Sequence, residues 1–253
     1  MRALPTLALC FTLACKASDG STDEDTDTTA AGDTDVVDTN VTDTDVAADT
    51  DVTEDTDVAA PTVADLLAAG ATVQEVLDAG HTPLEVYEAD NTLLNTIYGS
   101  LYQGGYIFYL NTTDGHGLVS DPGATRDSSP WSGVAWGCGS AEMPGADGTA
   151  IGDGPQNTID IVTACPGTTT AASVCADLTL AGYSDWFLPS RDELALMYTN
   201  LKNNGNKGNL HANHYWSSSD WSTDSAYFVY FATGSAGQDA KTDPDRVRAV
   251  RAF

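Results

Sequence analysis

Two hydrophobic periodicities, first of ten residues and then of two, mark the chain beyond Pro61. Residues 62–97 repeat as TVADLLAAGA, TVQEVLDAGH, TPLEVYEADN and TLLNTIYGS. Each unit opens on Thr62, Thr72, Thr82 or Thr92, and the first three carry Asp65, Glu75 or Glu85 three positions later. At that spacing the hydroxyl accepts from a backbone N–H of the first turn while the carboxylate reaches back to the cap, so each unit predicts a short helix with a capping box. Gly70 and Gly80 supply left-handed stops. Two-turn helices are unstable alone, so Leu66/Leu67, Val76/Leu77, Val86/Tyr87 and Leu93/Ile97 must bury against something. Residues 61–97 are therefore expected to form a stalk that positions a head and offers a surface for homo-oligomerisation. The alternative is a short solenoid cap packed on the domain of its own chain.

After Tyr98 the composition turns to Gly, Trp, Tyr and Ser, and apolar residues begin to alternate. Residues 105–110 and 117–120 predict strands joined by the turn residues 111–115. Residues 155–164 and 170–181 have helical spacing. Ser190, followed by Asp192 and Glu193, predicts the N-cap of a helix through Leu201. Strands are expected at 215–219, 226–232 and 246–251. Mixed strands and helices around Gly-rich loops make residues 98–253 one α+β domain.

The segment before the repeats has neither periodicity. Residues 16–60 are almost entirely Asp, Thr, Ala and Val, with Asp-Thr-Asp recurring five times. Little apolar bulk beside many like charges cannot offset the entropy of ordering, so 15–60 is expected to be a solvated acidic tether. Its carboxylates lack the glycine turn and distal Glu of an EF-hand loop. Residues 1–14 have a positive residue and a short apolar run, the layout of a secretory signal. Thr12-Leu13-Ala14-Cys15 has the form of a bacterial lipobox, which makes Cys15 the expected lipidation site, with Thr12 where Leu is usual. The expected location is outside the cell, lipid-anchored to the bacterial outer membrane or cell surface.

Charge narrows the partners. The formal net charge is −27, and no Lys or Arg stands between Lys16 and Arg126. A chain so acidic is repelled by nucleic acid and anionic surfaces, which are bound through clustered cations. Cleavage before Cys15 leaves Cys138, Cys165 and Cys175, enough for one bridge in an oxidising compartment. Pro166 and Gly167 lie in the short stretch between Cys165 and Cys175, so that pair is expected to close; pairings through Cys138 stay open.

Four motifs stand in a distinctive order: GGYIFY at 104–109, GYSDWFLPSRDELAL at 182–196, YWSSS at 215–219 and RVRAVRAF at 246–253. In that order they resemble the C-terminal domain of the Legionella collagen-like adhesin, over roughly residues 98–253. The resemblance implies a fold related to C-type lectins and the formylglycine-generating enzyme, with the arginine-bearing last strand beside the segment 105–110. It implies a non-catalytic surface module that binds glycan or extracellular protein. Sulfated polysaccharide, the ligand associated with that family, fits poorly with this charge, so a neutral glycan is expected. Trp221, Asp220, Asp224 and Tyr227 are the candidate contacts, because aromatic faces stack on sugar C–H surfaces and carboxylates accept from hydroxyls. Trp216 is expected in the core. Arg246, Arg248 and Arg251 are expected to pair with carboxylates such as Asp185 or Asp192.

Catalytic motifs are missing from the sequence. It has no Gly-x-Ser-x-Gly elbow, His-Glu-x-x-His or phosphate loop, and no cysteine after Cys175 to hold copper as the formylglycine-generating enzymes do. The calcium-lectin triplets Glu-Pro-Asn, Gln-Pro-Asp and Trp-Asn-Asp are absent too. No cofactor and no metal are expected. The competing readings are a metal-dependent enzyme on a formylglycine-generating-enzyme-like scaffold, using His211, His214 and nearby carboxylates, and a purely structural envelope protein.

Overall fold

The computed structural model describes residues 59–123, 133–139 and 141–253. The signal at 1–14, Cys15 and the tether through residue 58 lie outside them.

Three capped helices open the described chain: α1 (Val63–Ala68), α2 (Val73–Asp78) and α3 (Pro83–Ala89). Each carries the full reciprocal box, Thr62 with Asp65, Thr72 with Glu75 and Thr82 with Glu85. Hydrogen bonds from the threonines hold all three carboxyls below their ordinary pKa, because a donor favours the charged form. Gly70 and Gly80 have φ of +90° and +98°. The fourth unit departs from the repeat: Asp90, not Thr92, caps a 3-10 turn that leads into α4 (Leu94–Ile97).

The helices do not stand off as a stalk. Val63, Val73, Val76, Leu77, Val86 and Ile97 enter one continuous core with Ile107, Leu110, Val119, Trp136 and Trp216. The Gln74 amide donates to Leu101 O at 3.1 Å and accepts from Leu101 N at 2.8 Å, and Lys207 Nζ donates to Tyr98 O at 2.8 Å. Burial against the chain's own sheet supplies the stability that two-turn helices lack. Residues 61–97 and the domain after them therefore belong to one compact unit.

Two antiparallel sheets follow. Strands β1 (Leu101–Tyr102), β2 (Gly105–Leu110) and β3 (Gly117–Ser120) join the terminal β7 (Val250–Ala252) in the order β1-β2-β3-β7. The final strand thus pairs with β3, in register Val119↔Arg251, and not with β2 as expected. The short 111–116 turn makes β2 and β3 a hairpin, and β3, buried at all four positions, is left as the interior strand with one free edge for β7. The second sheet orders β4 (His214–Asp220), β5 (Ser225–Tyr230) and β6 (Ser235–Ala240) consecutively. Between the sheets in sequence lie α5 (Gly154–Ala164), α6 (Ala171–Ala176) and α7 (Arg191–Met197), the last running into a π turn over Tyr198–Lys202. The result is a mixed α+β unit.

Arg251 meets Asp185 and lies 3.7 Å over the Tyr183 ring, the expected pairing, whereas Asp192 is taken by Arg191. The disulfide joins Cys138 to Cys165, and Cys175 is a buried free thiol. The expected Cys165–Cys175 bridge is therefore incorrect. Cys175 points from α6 into the core, and burial raises its thiol pKa well above the ordinary value.

Closing a loop with a sequence separation of 27 should stabilise the fold by about 3.5 kcal/mol through the unfolded chain. Cys138→Ser is expected to lose that amount in urea denaturation, while Cys175→Ser keeps the bridge. Non-reducing peptide mapping should give a 138–165 cross-link, and a 165–175 cross-link would contradict the structure.

Candidate functional site

The end of β4 and the loop over residues 141–153 form an open cleft of roughly 240 Å³, lined by Glu142, Met143, Pro144, Gly145, Asp147, Asp220, Trp221 and Ser222. The loop has no helix or strand to hold it, so side chains do. Ser219 Oγ donates to Gly148 O at 2.7 Å, Asn157 Nδ2 donates to the same carbonyl at 2.7 Å, and Ser190 Oγ donates to Ala150 O at 2.7 Å. The Glu193 carboxylate accepts from Gly152 N and Ser190 N. Burial nevertheless raises its pKa above the usual carboxylate value, against those hydrogen bonds. Of the three fully buried serines of the YWSSS motif, Ser219 is thus the one that fastens the loop, while Ser217 Oγ donates to Tyr227 O at 2.9 Å and Ser218 Oγ accepts from Asn157 Nδ2 at 3.1 Å.

Trp216 is core, as expected, with its indole donating to Val134 O at 2.8 Å. Trp136 is its counterpart, donating to Ser217 O at 2.7 Å. Between this core and the cleft sits a buried ion pair. Lys241 Nζ donates to Asp220 Oδ2 at 3.0 Å, lies 2.9 Å from Oδ1, donates to Ala141 O at 2.6 Å, and stands 4.8 Å from the Trp136 ring centroid. The side chains are only 1% and 7% exposed, so the charges are shielded from water and must satisfy each other. Asp220 Oδ2 also accepts from Met143 N at 2.8 Å, and Asp220 N donates to Ala146 O at 2.7 Å. One residue at the end of β4 therefore grips the cleft loop at two points.

The four predicted contacts separate into distinct roles. Trp221 is 55% exposed at the cleft lip. Tyr227 braces it edge-on, with ring centroids 5.1 Å apart, and Arg191 stacks 5.2 Å from the far partner's centroid. Asp220 lines the cleft but is committed to Lys241 and Met143. Asp224 is exposed and lies outside the cleft lining, where its carbonyl accepts from Lys241 N at 2.9 Å. Glu142 and Asp147, which the sequence did not single out, are the exposed carboxylates at this opening. Gly145 completes it: φ is +93°, and a Cβ there would fall 2.6 Å from Asp160 Oδ2. Lys241 was missed as well, although a lone lysine amid acidic neighbours is a signal for a buried counter-charge.

The two histidines do not act together. Among the described residues, the metal-ligand-type cluster containing His214 is completed by Asp239 and Asp245, not by His211. His211 is exposed and its backbone N–H donates to Tyr215 Oη at 3.0 Å. Among the described residues no helix is long and apolar enough to cross a membrane.

A mixed α+β unit with a loop-built cleft at the end of one sheet is thus the class of structure that carries the four motifs. Residues 130–251 match the Lcl C-terminal domain family, the family those motifs resemble. The match contains the cleft, its fasteners and the first two residues of β7, while β1–β3 and the capped helices lie before it. No curated protein matches the chain.

Removing one partner of the buried pair leaves the other uncompensated, which costs about 3–5 kcal/mol. Lys241→Met is expected to lower unfolding free energy by that amount in urea titration. Combining it with Asp220→Asn should recover part of the loss. A change below about 1 kcal/mol for the single variant would mean that the pair is water-exposed.

Proposed function

We propose that this protein is a non-catalytic recognition module of the bacterial cell surface, whose lectin-like cleft beside Trp221 takes a neutral glycan. The observation that carries the reading is a largely exposed indole, held edge-on by Tyr227, at the mouth of an open cleft rimmed by acceptor oxygens. A rigid aromatic face is suited to stacking on sugar C–H surface, and carboxylates are suited to accept from hydroxyls. Glu142 and Asp147 add negative charge at the opening, Lys241 is neutralised inside by Asp220, and Arg191, beside Tyr227, is paired with Asp192. That balance disfavours sulfated ligands, which need cations at the surface.

The match of residues 130–251 to the Lcl C-terminal domain family supports an adhesin-type role. In this reading Cys15 is acylated after signal cleavage and the acidic tether holds the recognition unit away from the membrane. Mass measurement of the mature protein from its host is expected to show a diacylglyceryl increment on Cys15. An unmodified N-terminus elsewhere would remove the anchor from the account.

The recognition claim is tested by titrating the full chain against immobilised neutral glycans and extracellular matrix proteins at low and moderate salt. Binding to a glycan should be insensitive to salt, and Trp221→Ala should weaken it at least tenfold, about 1.4 kcal/mol, without moving the melting temperature. Binding confined to protein, or glycan binding indifferent to Trp221→Ala, would overturn the proposal.

A further inference from the structure

The β4-β5-β6 sheet gathers a second set of chemical groups, none of which lines the Trp221 cleft. His214 opens β4, Asp239 lies near the end of β6, and Asp245 lies on the segment that leads to β7. That segment is drawn alongside β4 by the parallel bridge Tyr215↔Arg246, with Arg246 N donating to His214 O and Trp216 N to Arg246 O. Two stretches, around 214 and 239–245, are therefore brought to one place by backbone pairing.

The imidazole is fixed before any ligand arrives. It stacks on Phe228 with centroids 4.0 Å apart and planes 16° from parallel, and meets Tyr230 edge-on at 5.0 Å. Phe228 in turn lies over Gly237, where a Cβ would fall 2.6 Å from Phe228 Cζ. Locked in this way, Nδ1 stands 3.5 Å from Asp239 Oδ2 and 3.8 Å from Asp245 Oδ1. Both separations exceed the ordinary N–H···O range of about 2.7–3.2 Å. They match the edge of a coordination polyhedron, because two donors each about 2.1 Å from a tetrahedral ion stand about 3.4 Å apart. One donor atom from each of the three residues lies within 4.8 Å of the others.

A second observation is independent of the spacing. Asp245 Oδ2 is buried and has no hydrogen-bond partner among the described residues. A buried carboxylate oxygen left unpaired is costly unless a cation or donor meets it.

We propose that His214, Asp239 and Asp245 form a binding site for one divalent first-row transition ion, of which Zn2+ is the best fit. An imidazole nitrogen with carboxylate oxygens is a donor set of intermediate softness, which suits zinc and its neighbours better than calcium, whose ligands are oxygens. The ion ties the start of β4, the edge strand β6 and the run into β7 together. His214 is partly exposed, so a coordination position is left open to solvent.

The probe is Co2+ added to the chelator-treated full chain, followed by its visible ligand-field absorption, with Zn2+ as competitor and Ca2+ as control. One equivalent is expected to bind and to be displaced by Zn2+ but not by Ca2+. His214→Ala and Asp245→Asn should each weaken it at least tenfold, while Asp224→Asn leaves it unchanged. Melting curves in chelator show whether each variant is folded. Independently of any variant, Mn2+ added to the wild type should broaden the NMR signals of His214, Phe228 and Tyr230 before those of Trp221. Absorption indifferent to His214→Ala in a folded variant, or broadening that spares His214, would overturn the site and attribute any bound ion to the acidic N-terminal segment.

Discussion

The cleft of this protein depends on one lysine and one aspartate hidden from water. Asp220 ends β4 and Lys241 directly follows β6, two strands that run the same way on either side of β5, so the antiparallel order brings them together beside Trp136. The cleft loop has no regular structure of its own, so its shape follows from the groups it can hydrogen-bond. Asp220 supplies two of these, to Met143 N and Ala146 O, and Lys241 reaches Ala141 O. Neutralising each other, the two charges leave Trp221, Glu142 and Asp147 as the groups that face outward. The shape of the cleft is thus a consequence of a buried electrostatic contact, with Ser219 of β4 as a neutral reinforcement.

This arrangement also explains why helices that look like a separate stalk are part of the domain. Sheet β1-β2-β3-β7 would expose an apolar face without them, and two-turn helices would melt without the sheet. Sharing a core solves both problems, and the Gln74–Leu101 pair fixes the alignment through two hydrogen bonds. The structural unit therefore begins well before residue 130, where the family match starts. A fragment cut there would remove β3 and leave β7 without its partner strand, holding only the Phe187–Val250 bridge.

What was legible in the sequence was local. The Thr-to-acid spacing of the capped helices, the β2–β3 hairpin and Ser190 as a helix cap each depend on residues a few positions apart, and each is present in the structure. Strand β6 was not foreseen, since SAGQDA has no apolar alternation; it is an exposed edge strand that needs none. The disulfide and the neighbour of β7 were misread because both are fixed by the packing of distant segments. In the cleft, Trp221 and Tyr227 were identifiable from aromatic chemistry, whereas Asp220 proved to be a brace rather than a free acceptor. Glu142 and Asp147 lie in a loop whose position only the folded β4 defines.

The central claim is that the cleft is held ready and that Trp221 is the face a glycan meets. The most direct measurement is the indole N–H region of an NMR spectrum during titration with a neutral oligosaccharide that the protein binds. The account predicts that the Trp221 signal moves with saturating amplitude while those of Trp136 and Trp216, tied to backbone carbonyls in the core, stay in place. A fixed Trp221 signal, with shifts instead at the buried indoles or at the opposite end of the sheet, would contradict it.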